Sequence, residues 1–308
     1  MHWRGTEARQ RVQHGRAREL AARRGSTFRR RELGKELRRL RERKGLTTKA
    51  AAEAIESSES KLNRVESGHN QLPRVRDLED LLVVYGVTDP ADREHLLSLH
   101  RDSLSSDWYR PYKGFMPSGQ LLYVGLESDA SAMRAWHSQV VFGLLQTENY
   151  TRAMFALSKP VDERTTEFVE KNVALRMERK KVIHGDDPVE LRVILDEAAL
   201  RRMVGGPDVM REQYEEIEKT AALDHVSVQI LPQNLSTYRA FDNFVIMDFD
   251  AGFEPVVMQD GPSVMAVSDK SREVWKYARR FDAMREGALA PARTADFLHR
   301  LGRELDDC

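Results

Sequence analysis

Residues 57–68 read SSESKLNRVESG. Only Leu62, Val65 and Gly68 are not polar, and Leu62 and Val65 stand three apart, the spacing of a thin apolar stripe on a helix. Ser58 suits the cap of such a helix, and Gly68 suits its end. A helix built this way has enough apolar face to sit on its own domain. Everything else on its surface is left to meet something outside.

The flanking residues say what that something is. Leu33, Leu37 and Leu40 recur at i, i+4 and i+7, which predicts a first helix closed by Gly45. Thr47 is placed to cap a second, TKAAAEAI, whose alanines permit close packing. A break at Glu56–Ser57 separates it from the third, the opening stretch. HNQLP then reads as a polar turn. VRDLEDLLVVYG reads as a fourth helix with Leu78, Leu81, Leu82 and Tyr85 inward, and ADREHLLSLHRDSL as a fifth. Two short helices joined by a tight turn, the second polar and narrow-faced, form a helix-turn-helix. The free face of the second is what enters a major groove and meets base edges and phosphates.

RELGKELRRLRERKGLTTKAAAEAIESSESKLNRVESGHNQLP, residues 31–73, resembles the five-helix Cro/phage-repressor (Xre-like) DNA-binding family. The register is carried by Leu37-Arg38-x-x-Arg41, by Gly45-Leu46-Thr47 and by Ser58-x-x-x-Leu62-x-x-Val65-Glu66-x-Gly68. Two positions depart from the family pattern. Glu56 stands where glycine is usual, so a residue with a side chain has to adopt the left-handed region or the turn is reshaped. Thr48 replaces the usual glutamine at the start of the second helix, which puts a phosphate contact there in question. The resemblance implies that Glu59, Ser60, Lys61, Asn63 and Arg64 face the groove. Arg64 suits guanine, Asn63 adenine and Glu59 the cytosine amino group. Thr47 and Ser58 cap helix ends whose free N–H groups can hold phosphates. The plain alternative for each is a solvated surface residue, most of all for Lys61. Glu66 and Arg41 are implied instead to pair inside the domain as struts.

Charge is split along the chain. The 308 residues have no net charge, yet residues 1–44 hold 16 Lys and Arg against 5 Asp and Glu. A basic head on an acidic body is the asymmetry of a nucleic-acid-binding end joined to something else. Residues 1–28 are expected to be a basic flexible arm, with a solvated tail or an upstream extension as the alternatives for 1–25. The single cysteine, Cys308, excludes a disulfide framework or thiolate metal site within one chain. No apolar run approaches the roughly 20 residues that span a membrane, and the Arg-rich start lacks the apolar core of a secretory signal. A cytoplasmic protein is expected.

Residues 29–104 are therefore expected to form the helix-turn-helix domain, 105–120 a linker, and 121–308 a C-terminal regulatory or interaction domain. The linker carries Trp108, Tyr109, Tyr112 and Phe115, too apolar for a free tether. Helical patterns cover about 125–182. LRVIL (191–195) and VSVQILP (226–232) read as strands around an amphipathic helix on Met210, Tyr214, Ile217 and Ala221, the form of a βαβ unit. NFVIMDF and PVVMQD read as two more strands, and two helices close the chain. The fold class expected is a mainly α helix-turn-helix domain followed by an α+β domain.

LLYVGLESDASAMRAWHSQVVFGLLQTENYTRAMF, residues 121–155, resembles a domain fused behind such helix-turn-helices in actinobacterial antitoxin-like regulators. Its centre matches at Gly143, Leu144, Leu145, Gln146, Thr147 and Tyr150, with Phe142 in place of the usual proline. Residues 191–232 and 241–249 match the same domain. The resemblance implies a small co-encoded partner protein that modulates the regulator. The known catalytic motifs are absent, no two histidines stand three or four apart, and no cofactor or catalytic residue is expected. Asp248 and Asp250 share one face of a strand and could hold a metal, but a solvent-facing pair is the plainer reading. Two readings of the body stay open. In one it mediates dimerisation and binds the partner protein. In the other it receives a small effector, with Trp136, Phe142, Tyr150 and Phe155 as pocket candidates.

Overall fold

In the computed structural model, residues 26–104, 108–117, 119–185, 187–250, 254–260 and 265–307 are described. The chain divides between Trp108 and Tyr109 into two units. The arm expected at 1–28 lies outside the described residues for 1–25, and residues 26–28 already belong to the first helix. The expected linker also divides. Tyr109 is buried in the core of the second unit, Arg110–Phe115 form a 3₁₀ helix, and Gln120 opens the next helix; residues 105–107 and 118 lie outside the described ones.

The first unit is helical, with α1 Ser26–Arg43, α2 Thr48–Glu53, α3 Glu59–Glu66, α4 Val75–Val84 and α5 Pro90–Ser103. Leu33, Leu37 and Leu40 of α1 share one core with Ala51 and Ala52 of α2, Leu62 and Val65 of α3, and Leu78, Leu81 and Leu82 of α4. Gly34 lets α1 and α3 touch, because a Cβ there would run into the carbonyl oxygens of Val65 and Glu66. The break between α2 and α3 puts Glu56 at φ 51°, in the left-handed region, so the turn keeps its shape without glycine.

The second unit is an α+β domain. Its elements are α6 Gln120–Asp129, β1 Ala132–His137, α7 Glu148–Ser158, α8 Thr166–Arg179, β2 Glu190–Asp196, α9 Glu197–Arg201 and α10 Pro207–Ala221. These are followed by β3 Val226–Leu231, β4 Phe244–Asp248, β5 Val256–Asp260, β6 Met265–Ser268, α11 Ser271–Gly287 and α12 Thr294–Glu304. The six strands form one mixed sheet in the order β3-β2-β1-β4-β5-β6. β1, β2 and β3 run parallel, and β4 is antiparallel to β1 in the register Trp136↔Phe244.

Strands β1 to β5 feed two cores with period two. Met133 and Ala135, Val193 and Leu195, Val245 and Met247, and Val256 and Met258 face the larger core. Trp136, Ile194, Phe244, Ile246 and Val257 face the smaller one, closed by Val274, Tyr277 and Phe281 of α11. The expected βαβ unit is β2–α10–β3, with α9 interposed. β1 departs from expectation, since residues 132–137 fall inside the stretch read as helical. Ala, Met and Arg favour helices, but a place between β2 and β4 overrides that preference.

Candidate functional site

In the helix-turn-helix, local capping sets the direction of both helices. Thr47 Oγ1 accepts from the Ala50 N–H and Ser58 Oγ from the Lys61 N–H, both at 3.2 Å. On α3 only Leu62, Val65 and Glu66 are buried. Glu59, Ser60, Lys61, Asn63 and Arg64 are exposed, and among the described residues none of their side chains makes a hydrogen bond or ion pair within the chain. Thr47 and Ser58 are exposed too, and Thr48 is partly so.

Glu66 turns the other way. Its carboxylate accepts from Arg41 Nε at 2.6 Å and Nη2 at 2.8 Å, while Arg41 Nη1 donates to the Leu46 carbonyl at 2.8 Å. Both side chains are nearly sealed from water, at 10% and 4% exposure. The Glu66 hydrogen bonds are the largest influence on the Arg41 guanidinium and raise its pKa. The clamp ties the C-terminal end of α3 to α1 and so fixes which residues of α3 look outward.

A second constellation lies inside the α+β domain. A small cavity, partly open to solvent, sits at the C-terminal end of β1. His137 ends the row Met133–Ala135–His137, and Asp260 ends the row Val256–Met258–Asp260, so both face the larger-core side. Arg176 and Arg179 stand one turn apart in the last turn of α8 and line the same space. Arg179 is clamped by Glu127 through Nε at 2.7 Å and Nη2 at 2.8 Å. Burial opposes its charge, but Glu127 more than offsets this and its pKa is raised.

Arg176 has no such partner. Its Nη1 donates to Gln146 Oε1 at 3.0 Å, and among the described residues no carboxylate comes within ion-pair distance. Burial, then the neighbouring Arg179, lowers it to about 10. Burial and the same two arginines lower His137 to about 3, so its imidazole is neutral. Among the described residues, the buried His137 Nδ1 and Gln120 Oε1 have no hydrogen-bond partner.

GLLQT is the hydrogen-bonded knot that seats Arg176. Gln146 Nε2 donates to the Val141 carbonyl at 2.7 Å, and Gln213 spans the turn between the Thr147 N–H and the Leu145 carbonyl at 2.9 and 2.7 Å. A Cβ on Gly143 would lie 2.8 Å from Arg176 Nη1, so only glycine leaves the guanidinium its place.

The family comparisons divide the chain where the fold does. A domain of unknown function, DUF5753, matches residues 120–300, and a helix-turn-helix domain matches residues 32–96. The chain belongs to the DUF5753 family. The DUF5753 match holds all six strands, both arginines of the cavity and GLLQT; the helix-turn-helix match holds α2, α3 and the Arg41–Glu66 clamp. No curated protein and no solved structure matches the chain.

Of the four aromatic pocket candidates in the DUF5753 region, Phe142 alone lines the cavity, with its ring centroid 5.0 Å from that of His137. Trp136 belongs to the smaller core and donates to the Ala240 carbonyl at 3.1 Å. Tyr150 packs in the larger core, and Phe155 meets Phe168 edge-on. Asp248 is taken by Arg134 at 3.1 and 3.2 Å, and no metal-binding cluster occurs among the described residues. No helix among them is long and apolar enough to cross a membrane. The cavity residues Gln120, His137, Arg176 and Asp260 carry no sequence signal beyond the nearby GLLQT, because they come from four separate elements.

Proposed function

We propose that this protein is a sequence-specific DNA-binding transcriptional regulator of the Xre-like, antitoxin-like kind. The observation that carries this is α3: its apolar face and Glu66 are anchored, and five polar side chains next to each other are exposed and unbonded. Glu59, Asn63 and Arg64 read base edges; Ser60 and Lys61 meet base edges or phosphate; Thr47, Thr48 and Ser58 position the backbone at the helix ends. The basic residues of 1–25 add phosphate contacts without sequence preference.

The protein acts as a homodimer on a pseudo-palindromic operator with half-sites about 34–36 Å apart, one helical turn. Selection from a random duplex pool with the full chain, followed by light scattering of the complex, tests this. A paired, symmetric site is expected; equal affinity for every duplex overturns the reading.

The α+β domain supplies the dimer contact and takes up a small co-encoded partner protein. By linkage, a partner that weakens operator binding is weakened by operator to the same factor, and titration with and without DNA measures that factor. The cavity favours a second reading, in which the domain receives a small effector that shifts operator affinity.

A further inference from the structure

Three features of the cavity are left over among the described residues. Gln120 Oε1 and His137 Nδ1 are buried there without a partner, and a buried polar atom is costly to leave unsatisfied. Arg176 is a partly buried cation with, among the described residues, only an amide oxygen against it. All three groups line one space, beside apolar walls from Phe142, Val245 and Met258. The strand order runs outward from β1 both ways, to β2 and β3 on one side and to β4, β5 and β6 on the other, and the cavity opens at the C-terminal end of β1.

The chemistry of the lining narrows the occupant. A guanidinium with free N–H groups recognises a planar carboxylate through paired hydrogen bonds. Asp260 lies in the same lining and opposes a doubly charged anion such as phosphate. With the Gln120 oxygen it offers acceptors, which call for a hydroxyl or amino donor on the ligand. We propose that this cavity binds a small monocarboxylic acid with an apolar body and a hydroxyl or amino group next to the carboxylate. Arg176 holds the carboxylate, Gln120, His137 and Asp260 surround the donor, and Phe142 and Met258 receive the apolar body. Gly143 and Gln146 position Arg176, which gives the GLLQT segment a role. The assignment deepens the effector reading and rests on it.

The test is calorimetric titration of the full chain with 3-phenyllactate and L-phenylalanine, beside 3-phenylpropanoate, which lacks the donor, and phenylalaninol, which lacks the carboxylate. At least one of the first two is expected to bind, 3-phenylpropanoate more weakly, and phenylalaninol not at all. Arg176→Met should weaken binding by at least about tenfold, one bidentate charged contact. Gly143→Ala, which crowds the guanidinium without removing it, should weaken binding in the same direction and covers the case in which Arg176→Met fails to fold. Absence of binding by both acids, equal binding of phenylalaninol, or unchanged affinity in a folded Arg176 or Gly143 variant overturns the assignment. Operator affinity measured with and without the bound acid keeps the two ideas apart. If the acid binds and operator affinity is unchanged, the effector reading falls and the site stands.

Discussion

Each domain buries one arginine in the two-pronged grip of a glutamate, and the two grips serve opposite ends. In the helix-turn-helix, Arg41 gives a third N–H to the Leu46 carbonyl, and the polar groups left over on α3 are exposed. In the α+β domain, Arg179 and Glu127 are sealed further, at 4% and 1% exposure, yet one turn away Arg176, with no carboxylate among the described residues within ion-pair distance, lines a cavity. The first clamp presents a surface. The second supports an interior in which charge and hydrogen-bonding capacity are left over. In both places the ion pair holds its neighbours still: exposed side chains on α3, and Arg176 beside the cavity.

The comparison breaks most visibly at the deeper clamp. Glu127→Ala leaves Arg179 charged and buried, and removing one partner of such a pair costs about 3–5 kcal/mol. For a domain near 200 residues that is a fall in Tm of roughly 6–20 °C. Thermal melts of the full chain with hydrogen exchange on the sheet check it, and the double variant Glu127→Ala/Arg179→Met should recover much of the loss. A Glu127→Ala variant that melts like the unmodified chain would remove the basis of the contrast.

Glu66→Ala applies the same test to the shallower clamp. Arg41 lies closer to water, so the loss should fall at the lower end, about 3 kcal/mol. Exchange protection of α1 and α3 should drop, and binding to operator and random DNA should drop together.

Acid should separate the two domains next. His137 is held near 3 in the fold against 6.5 for the free side chain. As pH falls below 6.5 the unfolded chain takes up the proton first, so stability is lost progressively between 6.5 and 3 and is whole above that range. At pH 5 the loss is about 2 kcal/mol. His137→Asn should flatten that part of the stability profile of the α+β domain and leave the helix-turn-helix unchanged. An unaltered profile would place the imidazole in contact with water.

The smallest effects belong to the outward face. Arg64→Ala should leave the melt unchanged, cost about 1–3 kcal/mol of operator binding and relax selectivity at one base pair. Lys61→Ala should lower the salt dependence of binding by about 0.9 in log–log slope if it meets a phosphate. A shift in melting temperature from either would show that the face is not as free as α3 presents it.

How readable each region was follows from how local its forces are. Thr47, Ser58, Gly45 and the Leu33–Leu37–Leu40 stripe act within a few residues of themselves, so helices and turn could be traced along the chain, while the structure decided that Glu56 takes the left-handed region. Strands β2, β4 and β5 show as apolar runs because most of their residues are buried, and β3 as an alternation of buried and partly exposed residues. β1 does not, since its Ala, Met and Arg suit a helix, and β6 is four partly exposed residues. Arg176 and Arg179 look in sequence like ordinary basic residues ending an amphipathic helix.

The sequence by itself determined the helix-turn-helix, the outward set on α3 and the α+β class of the body, because caps, periodicity and apolar runs are local properties. Only the tertiary structure decided that residues 132–137 form a strand beside β2 and β4, and that Glu127 neutralises Arg179 and not Arg176. It also decided that Gln120, His137, Arg176 and Asp260 share one cavity. Those are matters of pairing and burial between segments up to about 140 residues apart, which the pattern within any one segment does not encode.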